Sequence, residues 1–155
     1  DKRVVAIAPM VIDVLNMQPQ MEQQVKSYGK YSRMIQPYLE FDIPNRMKTK
    51  RGQLLTNLVD PYAYREKLTL PKLIILGTND PYWTVDASSL YFPGLQGPKH
   101  LYYLANAGHG LGAQIAPTMA YFFKKSHAVA YAHAIVVQMN LIKKDKYSFS
   151  ATQET

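Results

Sequence analysis

The sequence has no cysteine in its 155 residues, which excludes a disulfide framework and a cysteine-ligated zinc site within it. It also lacks a long apolar run. The longest run covers residues 128–142, is shorter than the ~20 residues a membrane helix needs, and is interrupted by His133 and two polar amides. We therefore expect no membrane span.

Acidic residues are scarce, with 11 Asp and Glu against 18 Lys and Arg, and the formal charge is +7. The basic residues form short, scattered clusters without the interleaved aromatic platform that nucleic-acid binding uses. We interpret them as solvated side chains and expect no nucleic-acid partner. His127 and His133 are six residues apart with no carboxylate pair nearby, so neither a metal nor another cofactor is expected.

Three short apolar runs predict buried strands, at Val4–Ala8, Leu73–Leu76 and Leu101–Leu104. A turn and a helical pattern follow the second and third runs. We expect one helix to begin at Thr84 and another to contain Pro117 in its first turn. Alternating strands and helices are typical of an α/β fold with a parallel sheet and crossover helices.

Residues 16–60 interrupt this pattern with a Gln- and Met-rich segment that is broken by prolines. Met21, Val25 and Tyr28 are spaced as one apolar face of a helix. A second short helix is predicted over residues 53–59. We expect this insertion to form a helical cap above the carboxyl ends of the strands.

Two ionisable residues directly follow predicted strands: Asp80 after Leu73–Leu76, and His109 after Leu101–Leu104. Functional groups gather at the carboxyl ends of parallel strands, and neighbouring strands lie about 4.8 Å apart. The carboxylate is therefore expected to bond one imidazole nitrogen and orient the ring as a general base. Gly108 and Gly110 flank the histidine, and we expect them to permit a sharp turn.

Alternatives remain at three positions of this candidate site. Asp13 also follows a predicted strand and is a second candidate for the acid. Tyr82 and Trp83 directly follow Asp80, where they are candidates for lining a substrate pocket or for packing in the core.

The nucleophile that such a pair would activate is missing. The sequence contains no G-x-S-x-G elbow, although Asp80 and His109 follow the order of serine, acid and histidine in α/β-hydrolases. We therefore expect the chain to be the acid-and-base half of a serine hydrolase acting on an ester or amide bond. The nucleophile is expected upstream of residue 1, and the chain alone is expected to be inactive.

Four segments together resemble one known family: Val5–Asn16 (VAIAPMVIDVLN), Val59–Tyr62 (VDPY), Pro71–Trp83 (PKLIILGTNDPYW) and Asn106–Leu111 (NAGHGL). The resemblance is to the PhoPQ-activated pathogenicity-related family, which includes the autocrine proliferation repressor proteins. It implies an α/β-hydrolase fold, export to the periplasm or the cell exterior, and a nucleophile segment just before Asp1.

The expected organisation is a partial α/β-hydrolase domain over residues 1–125, with the cap at 16–60 and a divergent tail at 126–155. The expected partner is a small-molecule or peptide substrate. The alternative is a secreted signalling protein, similar to a growth repressor, that uses the hydrolase scaffold to bind a cell-surface receptor.

Overall fold

A computed structural model describes residues 3–126 of the chain. The predicted tail, apart from Ser126, and both His127 and His133 lie outside the described residues. Residues 7–115 form one compact unit, and the described residues 3–6 and 116–126 belong to another.

Short helices and a small sheet make up the described residues. The helices are α1 (Met17–Tyr28), α2 (Gln36–Glu40), α3 (Ile43–Arg46), α4 (Lys50–Val59) and α5 (Ala116–Lys125), and the strands are β1 (Lys72–Gly77) and β2 (Lys99–Leu104). Short 3-10 helices lie at Arg33–Ile35, Pro61–Tyr64, Val85–Leu90, Phe92–Gly94 and Ala113–Ile115.

The two strands pair in parallel, from Lys72 opposite Lys99 to Gly77 opposite Leu104. Every residue of β1 is buried, and for Leu73–Leu76 the uninterrupted apolar run predicts this. The coarse prediction of an α/β protein with a parallel sheet is therefore confirmed.

The first predicted strand is present only as two isolated bridges, one at Ile7 inside the predicted run and one at Met10 beyond it. The Leu73 N–H donates to Ile7 O and the Ile75 N–H to Pro9 O, both at 3.0 Å. The prediction of a regular strand over Val4–Ala8 was therefore wrong, although Ile7 of that run does pair with Lys72. Pro9 has no N–H to give to a ladder, which limits regular pairing here. Since β2 bonds the other edge of β1, β1 is the central element.

The crossover between the strands is a pair of 3-10 turns instead of the predicted α-helix. Thr84 makes no side-chain cap bond, and main-chain bonds of the shorter i to i+3 type follow it. Pro93 lies in the second turn. The ammonium of Lys99 bonds three carbonyls around that turn, at 2.8 to 2.9 Å, and thereby ties it to the start of β2.

Two apolar clusters stabilise the unit of residues 7–115. One packs against β1 and contains Leu15, Ile74, Leu76, Tyr91 and Leu95. The other lies between residues 16–60 and the loop after β1, and contains Met21, Ile35, Met47, Trp83 and Ala87. Burial of these side chains supplies the main driving force for folding.

Helix α1 does not bury the face that its apolar spacing predicts. Met21 is buried, but Val25 and Tyr28 are 41% and 46% exposed, whereas Gln20 and Gln24 are only 1% exposed. The apolar face predicted from Met21, Val25 and Tyr28 was therefore wrong. A glutamine can replace an apolar residue inside the protein when its amide satisfies main-chain groups there.

The buried glutamines attach helix α1 to the loop that follows β1. Gln24 donates to Tyr82 O at 2.6 Å and accepts from the Ser32 N–H at 2.9 Å. Ser32 in turn donates its hydroxyl to Pro81 O. Residues of the insertion thus contact the loop at the carboxyl end of β1.

We predict that Gln24→Ala lowers the free energy of unfolding by about 2 kcal/mol, because it leaves two main-chain groups unpaired in a buried place. Urea denaturation measures the change. Lys26→Ala, at an exposed position of the same helix, is the matched control and should change the value by less than about 0.5 kcal/mol. Equal losses in the two variants would contradict the structural role of Gln24.

Candidate active site

The acid and the base expected from the sequence lie side by side. Asp80 is in the turn after β1 and His109 is in the turn after β2, with 2.8 Å between Asp80 Oδ2 and His109 Nδ1. The other carboxylate oxygen, Oδ1, accepts from the Tyr82 N–H at 2.9 Å, which fixes the carboxylate. The Asp80 side chain is 11% exposed and the His109 side chain is 38% exposed. The histidine is thus the more accessible member of the pair.

Main-chain and side-chain bonds hold the two turns together. The Thr78 N–H donates to Leu104 O at 3.1 Å, and the Asn79 N–H donates to Ala107 O at 2.9 Å. The Thr78 hydroxyl accepts from the Asn106 N–H at 2.9 Å. The separation of Asp80 and His109 is therefore determined mainly by the backbone of the two turns.

Gly77, the last residue of β1, permits this close approach. A Cβ at this position would overlap the carbonyl oxygens of Ala107 and Gly108. Sequence reasoning missed Gly77. Its signal was a glycine at the end of an apolar strand, where one backbone often approaches another closely.

The glycines beside the histidine have a smaller role than expected. Gly108 and Gly110 do not adopt the left-handed conformation, whereas Asn106 and Leu111 do, with φ of 56° and 48°. The expectation that these two glycines make the sharp turn was wrong. An asparagine tolerates the left-handed region because its short side chain can bond locally.

The two aromatic residues after the acid occupy different environments. The Tyr82 ring stacks on the His109 ring, with centroids 4.2 Å apart and planes tilted by 33°. Trp83 is only 6% exposed and belongs to the apolar cluster with Met21. Its ring also meets Tyr38 edge-on, at 6.5 Å. Tyr82 therefore borders the histidine, and Trp83 supports the loop from the core.

The hydrogen bond determines which imidazole nitrogen can act as a base. A carboxylate only accepts hydrogen bonds, so we assign the imidazole proton to Nδ1, and Nε2 is left as the proton acceptor. Among residues 3–126, no serine bonds this nitrogen. Ser32 donates to Pro81 O, and Ser88 pairs with the Tyr103 hydroxyl at 2.8 Å. The described residues hold an oriented base without a nucleophile.

Asp13, the alternative acid, is a buried neighbour of the pair. It is 6% exposed, and its Oδ1 makes no hydrogen bond. Burial raises the pKa of Asp13 to about 7, the nearby Tyr91 hydroxyl opposes the rise, and the charges of Asp80 and Asp86 add to it. The Tyr91 hydroxyl does not reach ordinary hydrogen-bond geometry. Of the two candidate acids, it is Asp80 that bonds His109.

Metal and membrane features are absent from the part of the chain that the structure describes. Within residues 3–126, no three His, Asp or Glu side chains gather closely enough to hold a metal ion. No helix in the same range has the length and apolar character to cross a bilayer.

Comparison with known proteins gives one family and one curated relative. Residues 1–149 match the family of PhoPQ-activated pathogenicity-related proteins. Autocrine proliferation repressor protein A of Dictyostelium discoideum is 32% identical over 118 residues, which are 74% of this chain and 24% of that protein. The chain thus spans about a quarter of the length of this relative.

We predict that Gly77→Ala separates the acid from the base, because the added methyl group displaces the turn that carries His109. The Nδ1–H resonance of His109, followed by imidazole NMR, should lose its protection from exchange. Such overpacking should also cost about 1–3 kcal/mol of stability. Gly110→Ala is the control, since a Cβ there meets no atom within 4 Å. Retention of the resonance in Gly77→Ala would contradict this account.

We predict that Asp13 makes stability depend on pH. Its pKa is about 7 in the folded chain and ordinarily 3.8, so the folded state retains a proton that the unfolded state releases between these values. The free energy of unfolding should fall as pH rises from about 4 to 7, by at most about 1.4 kcal/mol per pH unit, and level off above pH 7.

The Asp13→Asn variant should lose this pH dependence and be more stable than the parent above pH 7. Denaturant unfolding at several pH values measures both effects. Asp42→Asn, at an exposed position of the cap, should retain the parental slope. An unchanged slope in Asp13→Asn would assign the pH dependence to another group.

Proposed function

The chain belongs to the PhoPQ-activated pathogenicity-related protein family, and from the paired Asp80 and His109 we propose that it is the acid-and-base part of a serine hydrolase. The bond cleaved is an ester or an amide. The single observation that carries the proposal is the 2.8 Å hydrogen bond between the two side chains, at the carboxyl ends of adjacent parallel strands. An α/β-hydrolase fold for the complete protein is part of this proposal.

The proposed chemistry uses both nitrogens of His109. Nε2 takes the proton from a serine hydroxyl as that oxygen attacks the carbonyl carbon, and then gives it to the leaving alcohol or amine. Asp80 holds the ring through Nδ1 and stabilises the imidazolium that forms. In the second half of the reaction, the same nitrogen activates the water that releases the acyl group.

The serine and the oxyanion-hole donors come, in this proposal, from a segment that precedes residue 1. The order of serine, acid and histidine in α/β-hydrolases places the nucleophile before Asp80. The relative supports a longer protein, because its match to this chain covers only 24% of its length. The chain alone is accordingly proposed to be inactive.

Substrate contacts are proposed on the side of the pair where Tyr82 stacks on the imidazole. A half-buried tyrosine offers an apolar ring and a hydroxyl, which suits a small-molecule or peptide substrate. Trp83 supports this wall from the core. Residues 16–60 contact the loop behind the acid, so we propose that they shape access to the site as a cap.

The name of the relative favours a second candidate, a secreted signal that represses proliferation by binding a receptor. In that case the hydrolase scaffold would be retained for binding alone. Export to the cell exterior or the periplasm fits both candidates and remains our proposal. An intact elbow serine in the complete protein favours the enzyme, and a residue without a nucleophilic group favours the signal.

We predict that His109→Ala in the complete protein reduces ester and amide turnover by several orders of magnitude, because the general base acts in both halves of the reaction. Asp80→Asn should reduce turnover by as much or less, since it mainly misorients the imidazole. Release of a chromophore from short-chain esters and dipeptide amides measures both effects.

The control variant is His100→Ala, which removes an exposed histidine of β2 and should retain parental turnover. A fluorophosphonate probe adds an independent readout. It should label the complete protein, label His109→Ala much more slowly, and leave the 155-residue chain unlabelled. Parental turnover in His109→Ala would overturn the proposed role of the base.

A further inference from the structure

Helix α4 turns its apolar side away from the protein. None of its ten residues is buried. Leu54, Leu55, Leu58 and Val59 are 64%, 58%, 68% and 60% exposed. At 3.6 residues per turn, these four side chains fall on one arc of about 140°. An apolar arc of this width usually faces a protein core, and here it faces outward.

The polar side of α4 borders a groove, where Thr56 is half-buried and Gln53 and Asn57 are exposed. Gln53, Thr56 and Asn57 line a groove of about 400 Å³ that α1 borders on its other side. At the start of α4, a Cβ on Gly52 would overlap the main-chain oxygen of Arg46, so the helix begins in close contact with α3. Rotation of α4 to bury its leucines would break both contacts.

A cluster of cations lies at the start of the same helix. Arg46, Lys48, Lys50 and Arg51 are all exposed, and residues 43–59 contain no acidic side chain. None of the four forms an ion pair within residues 3–126. Arg51 lies within the apolar arc itself, because Leu54, Leu55 and Leu58 follow it at i+3, i+4 and i+7.

From this arrangement we propose that α4 docks the protein on an anionic lipid surface. The four apolar side chains enter the boundary between headgroups and acyl chains, while the cations at the start of α4 bind lipid phosphates and carboxylates. Apolar insertion combined with electrostatic attraction is how helices lie in a membrane interface. The site is separate from the Asp80–His109 pair, and the inference does not depend on hydrolysis.

Charge favours a lipid surface over a second copy of this chain. A symmetric dimer formed through the two α4 helices would bring the cationic clusters of both copies to one interface, where they repel. An anionic bilayer neutralises the same charges and offers an apolar layer to the leucines. Both properties of α4 therefore find a complement in one partner.

Sedimentation with vesicles tests the proposal on the complete protein. We expect binding to vesicles of phosphatidylcholine with phosphatidylserine, weaker binding to phosphatidylcholine alone, and loss of the difference at high salt. The double variant L54S/L58S should bind anionic vesicles about tenfold or more weakly, since it removes inserted apolar surface. The triple variant K48Q/K50Q/R51Q should lose the preference for anionic lipid.

Matched controls change the same chemistry elsewhere in the chain. Val85→Ser removes an apolar side chain that is 54% exposed, and K124Q/K125Q removes two cations from the end of α5. Both controls should bind as the parent does, and circular dichroism should show parental helix content in every variant. Parental binding by L54S/L58S overturns the proposal. The proposal is also overturned if the parent protein does not bind anionic vesicles. A dimer in size-exclusion chromatography that L54S/L58S dissociates would overturn it as well.

Discussion

The parallel pairing of β1 with β2 positions the candidate site. Because Gly77 lies opposite Leu104, both strands end at the same level and their turns begin together. The turns are then joined by main-chain bonds, and the missing side chain of Gly77 lets one backbone lie directly against the other. The hydrogen bond between Asp80 and His109 follows from this geometry, so small changes at the strand ends should affect it more than changes in the surrounding loops.

Residues 16–60 distribute polarity in an unusual way on their two longer helices, α1 and α4. Helix α1 buries two glutamines, Gln20 and Gln24, whose amides bond main-chain carbonyls of the loop region behind the acid. Helix α4 places amide and hydroxyl side chains over a groove and exposes its leucines. In α1 the buried amides hold the loop after Asp80 in a specific position, since each buried amide requires its own hydrogen-bond partners. In α4 the exposed leucines leave an apolar surface on the helix.

Sequence reasoning predicted the features that depend on local pattern. The apolar run of β1, the strand before the histidine and the positions of Asp80 and His109 at strand ends were all readable, because burial on both faces of a strand leaves a continuous apolar signal. The buried face of α1 was not readable, since hydropathy assigns glutamine to the surface and its main-chain partners lie 58 and 67 residues away. The 3-10 crossover was missed because threonine is a common N-cap of α-helices, whereas the Thr84 side chain makes no capping hydrogen bond here.

Asp13 and Asp80 follow neighbouring segments of the sheet, yet their environments separate their roles. Asp80 has the imidazole on one oxygen and the Tyr82 N–H on the other, so both of its carboxylate oxygens have hydrogen-bond partners. Asp13 has no such partner for Oδ1, and burial keeps it largely protonated below about pH 7. A neutral Asp13 leaves a single carboxylate charge to orient His109. The ionisation of Asp13 near neutral pH would add a second charge close to the first, and this coupling connects the stability of the fold to the electrostatics of the candidate site.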